Sequence, residues 1–411
     1  MLRLLTFSTL FPNREQPEHG VFVENRLRHL LASGEATATV LAPVPCFPSG
    51  AAAFGRWGAY ARVPTREIRH GLVVHHPRFL AIPGIGAGVS PFLLHQASRR
   101  AVRRLLESGE RFDLIDAHYL YPDGVAAVRL GAEFALPVVL TARGSDVTQW
   151  PDYPTPRRLI LEAVGRAAAV IAVSAGLRAG LVRLGVAESA VTVLRNGVDT
   201  QTFRPLARAP ARTALGITRP TLISVGALIE RKRHHLTIGA LAGLREFDLM
   251  IVGEGPERAA LAALAERLGM AGRVRLVGRQ PHEGLLHSYN AADISVLASS
   301  REGWANVLLE SMACGTPVVA SDIPGNGEVV RERAAGLIVS ANTSEGIAAA
   351  VRDLWSELPS RAATRAYAER FGWQPTSQGQ LELFRRVLGE RDHDRSVAER
   401  SPPVISSNSE A

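Results

Sequence analysis

The chain of 411 residues has almost no lysine. Of its 47 basic side chains, Lys232 is the single lysine and the rest are arginine. An arginine-rich coding bias explains such a ratio, and under it one surviving lysine is chance. The alternative is a position that physically needs an ammonium group. Cysteine is equally scarce. Cys46 and Cys314 lie far apart, which excludes a CxxC pair, a zinc pattern and a disulfide framework, and favours a reducing compartment. No run of 18 uncharged apolar residues occurs, so no membrane-spanning helix is expected. The apolar run in Met1–Ser8 is too short for a signal peptide. No short-period repeat is present.

What the chain does have is 46% apolar and 21% charged residues, enough for proper cores, over a length that at roughly 150 residues per domain predicts two or three domains. Its net charge of +8 comes from dispersed arginines and points to anionic partners: nucleic acid, a membrane surface or phosphorylated small molecules. No nucleic-acid-binding motif or interleaved aromatic series accompanies the charge, so nucleic acid is not expected.

Short apolar runs alternate with amphipathic stretches. In the first half the strand candidates are 2–10, 37–42, 72–76, 114–118, 137–141, 169–173 and 191–194, with helices at 21–32, 92–108, 124–131, 157–167 and 175–184. The spacing implies βαβ units and parallel sheets. Around Asn196-Gly197 the pattern breaks, and 196–220, with three prolines, reads as a linker. A second series follows, with strands at 221–225, 248–252, 274–277, 294–297 and 317–320 and helices at 234–244, 256–269, 285–291, 305–314 and 345–358. The expected organisation is therefore an α/β chain of two doubly wound, Rossmann-like domains, 1–195 and 221–375, facing a deep cleft. Ligands would sit at the carboxyl ends of the strands. A terminal helix at 376–390 is expected to pack back on the first domain, and the polar stretch 391–411 to be disordered.

The stretch Ser300–Ala320 carries the most chemistry. A strand runs into a turn at Gly303, a helix opens near Trp304 or Ala305, and Gly315 stops it. A strand, a glycine turn and a helix N-terminus make an anion site, because the first backbone N–H groups point outward unpaired. Glu302 and Glu310 are eight residues apart, about 12 Å along a helix. That is too far for one metal ion or one acid–base pair, and it suits an extended ligand with hydroxyls at two places and negative charge between them. The plainer reading is a helix cap and a solvated glutamate.

Glu302 to Glu310 matches the E-x7-E motif of the family 4 glycosyltransferases, and the continuation to Ala320 resembles that family's helix and following strand. Val225–Lys232 resembles its phosphate-binding turn. Val252-Gly253-Glu254-Gly255-Pro256 and Asn196-Gly197-Val198-Asp199 also fit. The similarity spans about residues 1–390 and resembles bacterial polysaccharide and teichuronic-acid-type transferases. It implies the two-domain GT-B fold, a nucleoside-diphosphate sugar as donor, retention of anomeric configuration, no cofactor and no essential metal. The acceptor would be a hydroxyl of a glycan or lipid-linked molecule, and the location cytoplasmic, at the inner face of the cell membrane. A sugar-nucleotide epimerase or hydrolase of the same architecture, and a non-catalytic nucleotide-sugar scaffold, are the alternatives.

By the same resemblance, Glu302 would hold donor-sugar hydroxyls and Glu310 the ribose. Lys232 would bind the diphosphate, with Gly226 in the turn beneath it. Gly303, Trp304, Ala305, Asn306 and Val307 would line the donor, largely through backbone N–H groups, and 278–280 would edge the base. Where the family often has an arginine after the glycine, this chain has Ala227, and Arg231 is the candidate replacement. Gly20, before the first long helix, would allow close approach to a ligand. His118, at a strand end, would contact the donor sugar near the anomeric carbon, so that His118, Lys232 and Glu302 form the catalytic set. Many relatives have histidine where Arg143 stands. Arg143 would bind an anionic acceptor or stabilise leaving charge, and Asp146 would touch the acceptor or cap a helix.

Other matches carry less. Asp392-His393-Asp394 is a literal D-x-D in the polar tail. Gly84–Gly88 lacks a dinucleotide fingerprint and reads as an acceptor loop. Arg99, Arg100, Arg103 and Arg104 share one helix side near Phe92, a face that either meets anionic lipid or is simply solvated.

Overall fold

The computed structural model describes residues 1–81 and 86–400, the side chains of 86, 87, 282, 283 and 390–400 excepted. Ten strands belong to the first half: β1 (Leu2–Phe7), β2 (Ala36–Leu41), β3 (Val44–Cys46), β4 (Arg66–Arg69), β5 (Leu72–His75), β6 (Arg78–Leu80), β7 (Leu114–His118), β8 (Val138–Ala142), β9 (Ala169–Ala172) and β10 (Val191–Val193). Eight of them form one sheet in the order β10-β9-β8-β7-β1-β2-β5-β4, while β3 and β6 pair separately. β1 runs parallel to β2 and β7, β2 to β5 and β7 to β8, while β4 runs antiparallel to β5. Leu4, Leu5, Val40, Val74, Ile115, Val139 and Ile171 are fully buried. These strands read as continuous apolar runs because helices cover both faces of the sheet.

The second sheet comprises β11 (Thr221–Val225), β12 (Asp248–Val252), β13 (Val274–Gly278), β14 (Ile294–Leu297), β15 (Val318–Ala320) and β16 (Gly336–Ile338), in the order β13-β12-β11-β14-β15-β16. Its five neighbouring strand pairs all run parallel. Its core joins Leu222, Leu249, Ile251, Ile294 and Val296 to Ile238, Leu241, Ile347, Val351 and Leu354 from the covering helices. In each sheet the order reverses beside the first strand, and the loops leaving the strand ends there are the ones that carry the residues singled out above. The architecture is GT-B: two Rossmann-type parallel-sheet domains.

Three departures from the expected organisation have clear causes. First, the compact units are not divided at one point. Residues 142–152 and 172–195, expected in the first domain, belong to the unit 142–152 and 172–376, while 1–141, 153–171 and the described residues from Ser377 form the other. Second, the stretch read as a linker folds onto the second unit. It contains the helix Arg208–Ala214, buries Phe203, and turns Arg208 and Arg212 onto Asp293. Its prolines mark turns in a packed segment and not a free tether. Third, the last helix runs Gln374–Arg400, so 391–400, expected to be disordered, continue it. Once a helix is nucleated, each added residue fixes little more than its own dihedrals and gains a hydrogen bond, so polar composition alone does not end it. Residues 401–411 lie outside the described residues, as do Gly84 and Ile85 of the expected acceptor loop. Gly86 already opens the helix Gly86–Glu107. Among the described residues no helix is long and apolar enough to cross a membrane.

Candidate functional site

In the second unit, the loops leaving β11 and β14 are tied together by Arg231. Its backbone carbonyl accepts from the Ser300 N–H at 2.9 Å, and its guanidinium donates to the Arg301 carbonyl at 3.0 Å. This brings three of the residues singled out in the sequence into one cluster. The Lys232 ammonium donates to Glu302 Oε1 at 2.6 Å, and Arg231 donates to Oε2 at 3.3 Å. The Lys232 and Glu302 side chains are 13% and 10% exposed. Burial by itself raises the Glu302 carboxyl, but the neighbouring Lys232 and Arg231 cations outweigh it and hold it below the ordinary range. Glu302 is therefore ionised at neutral pH. Two cations face one carboxylate, so the cluster retains a net positive charge available to an anion.

The stem of Lys232 lies against Gly226. A Cβ there would come within 3.2, 3.3 and 3.5 Å of Lys232 Cε, Cδ and Cγ, a fit tighter than most side-chain contacts. The turn thus sets the direction in which the ammonium emerges. Behind it, His234 is 1% exposed, with Nδ1 3.0 Å from Ser224 Oγ. Burial and then Lys232 push its imidazole down to about 4, so it stays neutral and adds no charge.

Gly303 is a glycine because another piece of backbone occupies the space of a side chain. A Cβ there would stand 1.9 Å from the Arg143 carbonyl oxygen and 2.9 Å from Gly144 Cα. The residues after β8 and the turn after β14 are thereby in contact within the second unit. Arg143 is 8% exposed; its Nη1 donates to Asn196 Oδ1 at 3.2 Å, and Asn196 Nδ2 donates to Asn306 Oδ1 at 3.3 Å. Asp146, expected at the acceptor or as a cap, is fully buried. Its carboxylate accepts from the Arg143 N–H at 3.0 Å and the Gly144 N–H at 2.6 Å. It holds the Arg143 turn.

The helix after the turn is Asn306–Ala313, preceded by Ala305, which offers no side-chain cap. Trp304 and Ala305 are buried, at 6% and 3% exposure. The Trp304 indole packs beneath the Arg195 guanidinium at 5.9 Å and beside Phe371. The side chain of Trp304 is core, leaving only backbone for a ligand. Glu310 faces Tyr289, whose hydroxyl donates to Oε2 at 3.4 Å. Burial pushes the Glu310 carboxyl up to about 7, against the opposing pull of Tyr289 and Lys232. The glutamate has partners of its own and is not the solvated face residue of the plainer reading.

In the first unit, His118 ends β7 and is 1% exposed. Its Nε2 stands 3.3 Å from Asp116 Oδ2. The loop after β1 is clamped beside it: the Thr9 N–H and hydroxyl donate to Asp123 at 2.5 and 3.0 Å, and Ser8 Oγ donates to the His118 carbonyl at 3.3 Å. Gly20 has φ +74°, and a Cβ would lie 2.2 Å from the Leu10 carbonyl oxygen. The close approach expected of this glycine is made by the chain's own loop. Among the described residues no three His, Cys, Asp or Glu side chains cluster to hold a metal ion.

Several groups in these sites were not singled out in the sequence, among them Tyr289, His234, Asp123, and Arg26 and Gln380 near Asp116. Each is ordinary in its local context. Gln380 bonds partners 264 and 354 positions away, and no local pattern encodes such pairs.

The two halves of the chain match two family profiles: Glycosyltransferase Family 4 over residues 23–202 and Glycosyl transferases group 1 over residues 208–371. Together with the paired Rossmann-type sheets they define a GT-B glycosyltransferase. The chain belongs to the family 4 glycosyltransferases and is related to bacterial polysaccharide-biosynthesis enzymes. It is 27% identical over 358 residues to TuaC of Bacillus subtilis, a protein named for teichuronic acid biosynthesis, covering 85% of this chain and 88% of that one. Its fold is similar to sucrose-phosphate synthase from Thermosynechococcus elongatus, with a TM-score of 0.75 at 20% identity over 95% and 100% of the two chains. It is also similar to Anabaena HepE in complex with UDP-glucose, with a TM-score of 0.71 at 20% identity over 93% and 98%.

Proposed function

We propose that this glycosyltransferase moves a hexose-type sugar from a nucleoside-diphosphate sugar to a hydroxyl of a glycan or lipid-linked acceptor of the cell surface, with retention and without an essential metal. The observation that carries this reading is the Lys232–Glu302–Arg231 cluster at the start of an uncapped helix. As the glycosidic bond breaks, negative charge develops on the leaving nucleoside diphosphate. A net positive cluster and the N-terminal end of a helix stabilise charge where it appears, usually the largest single term in catalysis. HepE, of similar fold, is recorded with UDP-glucose, which supports this class of donor; TuaC's name supports the class of acceptor.

In this reading Lys232 and Arg231 take the diphosphate, Glu302 the sugar hydroxyls, Glu310 the ribose, and the backbone from Gly303 to Val307 the oxygens between. His118 contacts the sugar near the anomeric carbon. Arg143 is the residue left to meet an anionic acceptor. The leaving phosphate takes the acceptor's proton in a front-face displacement, so no carboxylate pair is required.

A thermal-shift screen of nucleoside-diphosphate sugars tests the reading. The right donor at a hundredfold its Kd adds about 2.7 kcal/mol of apparent stability. With that donor and an acceptor, turnover is expected to survive chelator with the α-anomer of the donor conserved in product. Activity lost to chelator and restored by Mg²⁺ would sink the metal-free claim. Donor consumed with no acceptor present would favour an epimerase or hydrolase.

In this reading the enzyme works at the inner face of the membrane. On the helix Gly86–Glu107, Arg99 and Arg103 turn to Glu133 at 2.6 and 3.3 Å, whereas Arg100, Arg104 and Phe92 are exposed. Arg100→Glu with Arg104→Glu should at least halve the protein that pellets with anionic vesicles at low salt; equal pelleting, or none for the wild type, removes the membrane from the proposal.

A further inference from the structure

Four side chains from three distant stretches of the chain meet behind the end of β7, all within the first unit. Arg26, in the helix Val21–Leu31, donates from Nε to Gln380 Oε1 at 2.8 Å. Gln380, in the last helix, donates from Nε2 to Asp116 Oδ2 at 3.2 Å. The same Oδ2 lies 3.3 Å from His118 Nε2. All four residues are 1% exposed.

The orientation of the amide is dictated by its neighbours. A guanidinium only donates and a carboxylate only accepts, so Gln380 must turn its oxygen to Arg26 and its NH2 to Asp116. A buried cation and a buried anion are costly unless each is paired, and here the amide joins them. The arrangement holds Oδ2 of Asp116 against one particular edge of the His118 ring. The contact lies outside hydrogen-bond geometry, but the field of a fixed carboxylate beside Nε2 favours the tautomer with the proton on that nitrogen and leaves Nδ1 as the lone-pair nitrogen. Which ring nitrogen can donate decides what a histidine at a sugar-binding site can do.

We propose that Asp116 and Gln380 are positioning residues for His118, setting its tautomer, and that the last helix completes the His118 site through this amide. The proposal rests on the reading of His118 as a residue of the reacting centre.

The test uses full-length protein carrying 15N-histidine, with no substrate. The His118 resonances are identified by their loss in His118→Asn. In the wild type the proton is expected on Nε2. In Asp116→Asn and in Gln380→Met the two tautomers should come within about threefold of each other, the energy gap having fallen below roughly 0.7 kcal/mol. Gln380→Glu, which keeps the Arg26 pairing and repels Asp116, serves where Gln380→Met is unstable in thermal melts. A His118 tautomer unchanged in these variants overturns the proposal. Turnover gives a second readout, followed as UDP release from UDP-glucose. Gln380→Met should lower kcat about tenfold with KM within twofold, and should cost less than twofold when His118 is already alanine, because residues acting through one group are not additive. Equal losses in both backgrounds place Gln380 elsewhere and also overturn it. If His118→Ala turns over like the wild type, the placement of His118 at the reacting centre fails, while the tautomer result stands or falls by itself.

Discussion

Lys232→Arg is expected to lower kcat at least tenfold, a loss of about 1.4 kcal/mol of transition-state stabilisation. On an otherwise arginine-rich surface the exchange would be mild. At this position it is not, for two reasons. The stem is confined over Gly226, so the direction of the head group is set by the turn. The ammonium is also shared with the Glu302 carboxylate at 2.6 Å. When a diphosphate arrives, a compact ammonium with three donors can turn from carboxylate to phosphate without moving its stem. A planar guanidinium matches a carboxylate with two parallel bonds and must break both to leave. Arginine at 232 should therefore stay locked on Glu302. The measurement is steady-state release of nucleoside diphosphate with the donor found in the shift screen. Turnover within threefold of the wild type would show that the lysine is chance after all.

The second large effect is at Glu310. Glu310→Ala is expected to raise the donor Kd tenfold to a hundredfold, the range for losing hydrogen bonds to a charged group of about 1.5–3 kcal/mol. A pH dependence should accompany it. With its carboxyl pushed up to about 7, Glu310 is half protonated at neutral pH in the unliganded enzyme. If ribose hydroxyls donate to the carboxylate, donor affinity rises about tenfold between pH 6 and 8 and levels off above the folded-state value. Glu310→Gln should flatten that profile. Stability moves the other way. The folded protein binds the extra proton, so this glutamate's contribution is fully present below the ordinary carboxyl range and is lost as pH rises through about 7. Thermal melts of Glu310→Gln without ligand should lack that decline. Calorimetry giving an unchanged donor Kd for Glu310→Ala would remove Glu310 from the donor site.

Much of this protein is readable locally. The helix expected at 305–314 forms as Asn306–Ala313, between a glycine turn and Gly315. The strand expected at 114–118 is β7, with His118 as its last residue. Both follow from short apolar runs, β-branched residues and glycine punctuation, which act within a few positions. The short strands β3, β4, β6 and β16 have no counterpart among the expected strands, because they carry too few apolar residues to set a pattern and exist only through their partners. The same holds for residues 196–220, whose prolines suggest a tether until Phe203 and Arg212 are seen to pack.

The sequence by itself determined the alternation of strands and helices, the glycine turns that end them, and the residue types at those turns: a lone lysine, two glutamates eight apart, a histidine at a strand end. These are properties of neighbours along the chain, and local sterics and solvation suffice to set them. Only the tertiary structure decided which groups answer one another. It put Lys232 on Glu302, 70 positions away, and so made the lysine part of a charged cluster where composition had left it open to chance. It drew Asp146 inward to its own turn and buried Glu310 beside Tyr289, the burial raising its affinity for a proton against the pull of that hydroxyl. It also joined Arg26, Asp116 and Gln380 across most of the chain. Charge pairing and desolvation depend on distance in space, which no spacing in sequence records.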